Sequence, residues 1–159
     1  MSATRASQLI AQLGMQPHPE GGWYAEVFRS SRSVQPADAR PPRPALTTID
    51  FLLERGQASA WHRVASDEVW HLLEGDSLLL WLLPPVGGPL QRVELSAQGS
   101  RRHVVPADWW QAAEPGGDFA YVGATVGPGF DFADFTFGRQ DDALQAALQQ
   151  HAPGLARLL

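Results

Sequence analysis

The 159-residue chain contains no cysteine. Disulfides, thiolate metal sites and a cysteine nucleophile are therefore all excluded. A chain without cysteine also fits a reducing compartment, so we expect a cytoplasmic protein.

Excess positive charge is missing too, since 12 basic residues stand against 17 acidic ones and the net charge is -5. Such a chain gains no affinity from a phosphate backbone, and nucleic acid is not an expected partner. The longest apolar run, Leu78 to Leu83, is far too short to span a bilayer, and residues 1–15 lack the apolar core of a signal peptide. We expect a soluble protein without a membrane partner.

Apolar residues make up 44% of the chain, with six Trp and seven Phe, which is enough to bury the core of one domain. We predict a single domain over residues 1–159, with its core at about 17–138. Many short strands separated by glycine and proline turns are typical of a β-sandwich or barrel. Strands are predicted at Trp23 to Arg29, Ala45 to Leu53, Ser59 to Val64, Glu68 to Leu73, Ser77 to Leu83, Leu90 to Leu95, Arg102 to Val105, Phe119 to Val126 and Phe132 to Phe137.

Short helices are predicted at both ends of this all-β core. The first runs from Ser2 to Leu13 and stops at Gly14. The second begins at Asp141 or Asp142, either of which serves as N-cap, and ends before Pro153.

Between the first two strands, the segment Ser33 to Pro44 contains four prolines, so it is predicted as a surface loop or lid.

Five residues in the middle of the chain stand at characteristic offsets from one another. Gly56 is followed by His62, Val64 and Glu68, and the stretch closes at Gly75. A later stretch places Pro106, Asp108 and Gln111 at offsets of two and five residues. These spacings repeat the two motifs that supply metal ligands in one group of small β-barrels, with Val64 and Gln111 standing where histidines are usual and Asp108 where a glycine is usual.

The chain resembles the cupin superfamily, specifically the Cupin_5 group, also called domain of unknown function 985. Four stretches carry the resemblance and follow one another in the expected order: His18 to Tyr24, Trp61 to His71, Val105 to Gln111 and Pro128 to Phe135. The resemblance implies a double-stranded β-helix, the cupin jelly-roll barrel, which is usually dimeric and has a ligand pocket in the barrel mouth. In shape the group is similar to sugar-nucleotide epimerases and isomerases.

Of the four usual ligand positions, His62 and Glu68 keep strong donors whereas Val64 and Gln111 do not. Iron centres of oxygenases need three or more imidazole or carboxylate ligands. Two interpretations remain open: His62, Glu68 and Gln111 hold a divalent metal weakly, or the same three side chains form a hydrogen-bonded polar pocket for an organic ligand.

Acid–base chemistry needs no metal. His62 beside Glu68 can act as a general base, with Tyr24 or Glu26 as the opposing acid on the strand Trp23 to Arg29. Strand alternation places Tyr24, Glu26 and Phe28 on one face of that strand. Several aromatic residues are candidates for stacking on a sugar or base: Tyr24, Phe28, Trp70, Trp109 and Trp110.

His71 is a second candidate for ligand binding. Alternation from Glu68 turns His71 to the opposite face, where it would satisfy backbone groups or contact a dimer partner. A bulge would reverse that facing.

Three functions are compatible with these residues. The first is an isomerase- or epimerase-like enzyme acting on a sugar-like or other polar metabolite, with His62 and Glu68 as catalytic residues. The second is a non-catalytic module that binds or senses a small molecule, and the third is a metal-dependent oxygenase, which the missing histidines disfavour. A homodimer is expected, because the run Leu78 to Leu83 is apolar on both faces.

Overall fold

The computed structural model describes residues 3–159. Within that range the helices are α1 (Arg5–Gln12) and α2 (Asp142–His151), with short 3-10 helices at Phe132–Asp134, Gly138–Gln140 and Pro153–Leu158. The strands are β1 (Gln16–Pro17), β2 (Trp23–Arg29), β3 (Ser33–Val34), β4 (Arg43–Pro44), β5 (Thr47–Glu54), β6 (Ser59–Val64), β7 (Asp67–Gly75), β8 (Leu78–Leu83), β9 (Gln91–Leu95), β10 (Arg102–Val105), β11 (Trp110–Pro115), β12 (Phe119–Gly127) and β13 (Phe135–Phe137).

Two antiparallel sheets form the body of the protein. One has the strand order β1-β2-β5-β12-β7-β10 and the other β13-β6-β11-β8-β9. Alternating residues of both sheets meet in one buried core, which includes Phe51, Trp70, Leu80, Ala113 and Val122. The predicted all-β fold, a double-stranded β-helix with a short helix at each end, is confirmed.

Both helices cover outer sheet faces. Helix α1 buries Leu9 beside Leu52 of the six-stranded sheet; the predicted start at Ser2 lies outside the described residues. For α2 the N-cap is Asp141, whose Oδ1 accepts a hydrogen bond from the Leu144 N–H at 2.8 Å. Within residues 3–159 no helix has the length and apolar character that crossing a membrane requires.

The two-residue strands β1, β3 and β4 were not predicted, and two longer segments also differ from the prediction. The predicted strand Phe132 to Phe137 begins as a 3-10 turn, because the Asp131 carboxylate accepts a hydrogen bond from the Ala133 N–H at 2.8 Å and caps that turn. Strand β11 was not predicted, since its alanines, glutamate and final proline have low strand propensity. Pairing with β6 and β8 on both sides overrides that preference.

The proline-rich segment is anchored to the body of the protein. Its two ends pair as β3 and β4. Arg43 binds both oxygens of Asp134, at 2.9 and 2.8 Å, and Arg40 donates to the same carboxylate at 3.1 Å. The segment is therefore fixed by a buried ion pair.

Two glycines that close the turns around β6 and β7 allow a matched test. Gly75 has φ 96, and a Cβ there would meet the Phe119 carbonyl oxygen at 2.5 Å; Gly56 has φ 85 with no heavy atom within 4 Å. We expect Gly56→Ala to lower the free energy of unfolding by about 1–2 kcal/mol through backbone strain alone. Gly75→Ala should cost about 1–3 kcal/mol more, because the added carbon displaces β12. Urea unfolding of both variants measures the difference, and equal losses would contradict the close approach.

Candidate functional site

A cavity of about 260 Å³ opens on the inner face of the six-stranded sheet. One part of its wall is formed by carboxyl and imidazole side chains, and another part by aliphatic and aromatic side chains. The lining residues are His18, Glu20, Tyr24, Glu26, Arg29, Thr47, Ile49, Glu68, Ala124, Val126, Phe130 and Phe132. The cavity is therefore a pocket with a polar wall and an apolar wall, a common arrangement for small-molecule sites.

The turn before β2 brings His18 and Glu20 into this cavity. Gly21 and Gly22 have φ 115 and 72, and a side chain at Gly21 would overlap the carbonyl of Ala58. The turn lies against β6, where the Ala60 N–H donates to the Glu20 carbonyl at 2.8 Å. Only glycine allows this approach, which places the Glu20 carboxyl group inside the barrel.

Glu20 is held by two side chains of β6. Its Oε1 accepts a hydrogen bond from the Ser59 hydroxyl at 2.8 Å, and its Oε2 lies 3.2 Å from Nε2 of His62. Strict alternation would turn Ser59 and His62 to opposite faces, but the β6–β11 register shifts between the pairs Gln111–His62 and Ala113–Ser59. The shift brings both side chains to the inner face.

The contact between Glu20 and His62 requires one proton. His62 Nδ1 lies 2.7 Å from the Ala60 carbonyl oxygen, which can only accept, so Nδ1 carries a hydrogen. Nε2 and the Glu20 oxygen then face each other across 3.2 Å with a single proton between them. Burial lowers the pKa of His62 and raises the pKa of Glu20, so both effects favour the proton on the carboxyl group.

Gln111 lies opposite His62 on β11 and bridges Trp70 to Glu68. The Trp70 indole N–H donates to Gln111 Oε1 at 2.8 Å, and the amide Nε2 donates to Glu68 Oε2 at 3.3 Å. Because an indole can only donate, the amide oxygen must face Trp70 and the NH₂ group must face Glu68.

Glu68 is the buried carboxyl group that faces the cavity on β7. Burial raises its pKa to about 7; His62 nearby lowers it, the charge of Glu20 raises it, and the hydrogen bond from Gln111 lowers it. A carboxyl group with this pKa exchanges its proton near neutral pH, as general acids and bases do.

The predicted metal ligands do not fit a metal centre. Gln111 turns its oxygen away from Glu68, His62 Nε2 is directed at Glu20, and Val64 offers no donor atom. Across residues 3–159 no group of three or more His, Asp and Glu side chains is placed to hold an ion. The polar-pocket interpretation describes these residues better than the metal interpretation.

The predicted catalytic residues come close together but have different surroundings. Glu68 and Tyr24 line the cavity, whereas His62 lies behind Glu20 and stacks on Phe135 with ring centroids 5.0 Å apart. Glu26 lies at the mouth of the cavity.

Phe28 does not contact the cavity, contrary to the prediction from alternation. The β2–β5 register shifts between Glu26 and Phe28, leaving Val27 as an extra residue. Phe28 therefore points outward and is 50% exposed, while Arg29 points inward. Arg29 contacts the Glu26 carboxylate at 2.7 Å and donates to the Phe130 carbonyl at 3.1 Å.

His71, Trp70 and Trp109 are not lining residues either. On β7, Glu68, Trp70 and Leu72 are buried while His71 lies on the opposite, half-buried face. Trp70 is a core residue that orients Gln111, and Trp109 packs against the same core. Trp110 packs on the outer side near α2.

Sequence reasoning assigned no role to His18, Glu20, Ser59 or Arg29. His18 and Glu20 stand two residues apart before a Gly-Gly pair, and that spacing was a usable signal. The inward positions of Ser59 and Arg29 depend on the two register shifts, which cannot be predicted from the local sequence pattern.

The second motif adopts the backbone that its alignment requires. Asp108, at the position where a glycine is usual, has φ 67. Aspartate is one of the few residues that tolerates this left-handed conformation. This geometry agrees with the motif spacing that places Gln111 at the usual histidine position.

The model of the family Cupin_5, described as cupin superfamily (DUF985), matches residues 7–138. The chain belongs to this cupin family. A hypothetical protein from Leishmania major is 30% identical over 98% of this chain and 96% of its own length, with a TM-score of 0.81. A Shewanella oneidensis protein of known crystal structure is also 30% identical, over 98% of this chain and 95% of its own, with a TM-score of 0.80.

More distant cupins share the fold alone. The capsular polysaccharide assembling protein CapF from Staphylococcus aureus is 13% identical over 77% of this cupin and 31% of its own chain, with a TM-score of 0.57. Curated proteins gave no significant match.

Glu68 should make the stability of this cupin depend on pH. Its pKa rises from 4.5 to about 7 on folding, so the folded state holds the proton more tightly. The resulting stabilisation is complete below about pH 4.5 and is lost as pH rises through 7, a decrease of about 3 kcal/mol. Chemical unfolding at pH 5 and pH 8 should show this loss, and Glu68→Gln should reduce it. The exposed Glu94→Gln serves as control, and the idea fails if both variants keep the wild-type pH dependence.

Proposed function

We propose that this cupin binds a small polar metabolite in this cavity and catalyses proton transfer on it, as isomerases and epimerases do. One observation carries the proposal: Glu68 and Tyr24 line the same cavity, and burial raises the pKa of Glu68 to about 7. The absence of cysteine supports a reducing compartment, and we propose the cytoplasm as its location.

Glu68 and Tyr24 are suited to different roles in this chemistry. Glu68, in its ionised form, can take a proton from the carbon next to a carbonyl group. The single proton of Glu20 lies against His62, so the hydrogen bond to the carbonyl oxygen, where negative charge develops, comes from the Tyr24 hydroxyl, whose residue also lines the cavity. His62 contacts Glu20 rather than the cavity, so in this mechanism it is a positioning residue that holds the Glu20 proton in place.

Epimerisation would result if the planar intermediate turned its other face to Glu68 before Glu68 returned the proton to the same carbon. Isomerisation would result if Glu68 returned the proton to the neighbouring carbon while the proton of the adjacent hydroxyl passed to the carbonyl oxygen. Both steps conserve atoms and charge without a further reactant. The apolar part of the cavity wall lowers the local polarity and so strengthens the hydrogen bond to the carbonyl oxygen.

Solvent exchange tests this mechanism. Neutral aldoses and ketoses are incubated with the protein in D₂O, and deuterium at the carbon next to the carbonyl is measured by NMR. We expect incorporation with the wild type and a loss of at least about 100-fold with Glu68→Gln, since one general base contributes roughly 10²–10⁴-fold. Glu94→Gln should retain the wild-type rate. A compound that binds in the cavity without any exchange would instead support a binding or sensing module.

We also propose a homodimer, on a surface other than the one the sequence suggested. The outer side of β8 is covered within the chain, because Trp81 and Leu83 pack against the cluster around α2. The outer face of the six-stranded sheet instead presents a continuous uncharged row, one residue from each of five paired strands: Phe28, Thr48, Thr125, Val69 and Val104.

Val104→Glu tests this interface, because Val104 is 52% exposed at the end of the row. A buried charge there should shift light scattering at micromolar protein from dimer mass to monomer mass. Val86→Glu, on a loop and 88% exposed, should leave the dimer unchanged. A monomeric wild type would reject the homodimer.

A further inference from the structure

We infer that the cavity takes a neutral, hydroxyl- and carbonyl-bearing ligand of about monosaccharide size and rejects sugar phosphates, sugar acids and nucleotide sugars. The inference rests on the proposed function only in placing the ligand in this cavity. It is based on the net charge of the titratable side chains that line the cavity or lie directly behind its lining.

The mouth of the cavity is neutral. Arg29 is the arginine among the lining residues, and its guanidinium contacts Glu26 through Nε at 2.9 Å and through a terminal nitrogen at 2.7 Å. Its other terminal nitrogen donates to the Phe130 carbonyl at 3.1 Å. This arginine is therefore already matched with a carboxylate, and an incoming anion would have to displace Glu26.

His18 is neutral by its hydrogen bonding. Its Nδ1 accepts the backbone N–H of Glu20 at 3.1 Å, and an imidazolium nitrogen cannot accept a hydrogen bond. Burial also lowers the pKa of His18. The ring packs edge-on against Tyr24, with centroids 4.7 Å apart, and supplies no positive charge.

Glu20 and His62 contribute no net charge in either proton position. The pair is a neutral carboxyl group beside a neutral imidazole, or a carboxylate beside an imidazolium, and the sum is zero in both cases. Glu68 is then the remaining group, with a charge of zero when protonated and minus one when ionised. The net charge of the side chains at the cavity therefore lies between zero and minus one.

Neighbouring arginines do not alter this total. Arg40 and Arg43 bind Asp134, and Arg40 also contacts Asp38 at 2.9 Å. Two positive charges are thus matched by two negative charges outside the lining.

An anionic ligand would lose its hydration and find no unmatched positive charge in exchange. Hydroxyl groups, in contrast, find acceptors and donors in Glu20, Glu68, His18 and Tyr24. The volume of about 260 Å³ is also below the range of roughly 300–1,000 Å³ typical of drug-sized ligands. Charge and size together favour a small neutral polyhydroxyl compound.

Isothermal titration with matched sugars tests the inference. Glucose, galactose, mannose and fructose are each compared with their 6-phosphates and, where they exist, their uronic acids. We expect at least one neutral sugar to bind at least 10-fold more tightly than its charged derivatives. A charged derivative that binds more tightly than its parent, or a failure of every neutral sugar to bind, would overturn the inference.

Glu26→Gln provides the second arm. It leaves Arg29 without its carboxylate, so the 6-phosphate of the bound sugar should gain at least 10-fold in affinity while the neutral sugar changes little. No gain for the phosphate would show that charge at the mouth does not set selectivity, which would also overturn the inference. Failure of the proposed function is recognised separately, because a neutral sugar that binds without deuterium exchange rejects catalysis and leaves the ligand class intact.

Discussion

The single proton between Glu20 and His62 is the constraint on which the site depends. It joins the glycine turn before β2 to β6 of the opposite sheet, and it requires that the two groups never be charged independently of each other. Glu68 is thereby left as the group whose charge can vary alone. Buried polar atoms elsewhere in the pocket are also satisfied, and in the described residues no buried side-chain nitrogen or oxygen lacks a partner.

Because of this constraint, the residues of the cupin motifs have a different role in this chain from the one that their spacing suggests. In the motif spacing, His62, Glu68 and Gln111 occupy positions associated with metal ligands, and the structure does bring them together from the facing sides of the two sheets. The His62 nitrogens, however, face Ala60 and Glu20, the Gln111 oxygen accepts from Trp70, and one Glu68 oxygen accepts from the Gln111 amide. The positions that the motif associates with metal ligands therefore hold side chains that hydrogen-bond to other protein groups.

Much of the fold could be predicted from the sequence, because alternating apolar residues and glycine turns are local signals. The apolar run Leu78 to Leu83 alternates between buried and half-buried positions, as a strand with two covered faces should. The inward placement of Glu68 and the outward placement of His71 follow from the same alternation. Phe28, Arg29 and Ser59 could not be placed in this way, since one extra residue in a strand reverses every later side chain. Glu20 required knowledge of a contact between segments 42 residues apart, which no local pattern contains.

Trp70 does not line the cavity, but its indole N–H fixes the orientation of the Gln111 side-chain amide. Replacing the indole by a ring without an N–H would remove the donor that holds the Gln111 oxygen, and the amide could then rotate by half a turn. Rotation would present an acceptor to Glu68 where a donor now stands, and would favour the protonated acid. A core residue remote from any ligand therefore sets the chemical character of the pocket, so related chains can acquire a different ligand preference without altering a single lining residue.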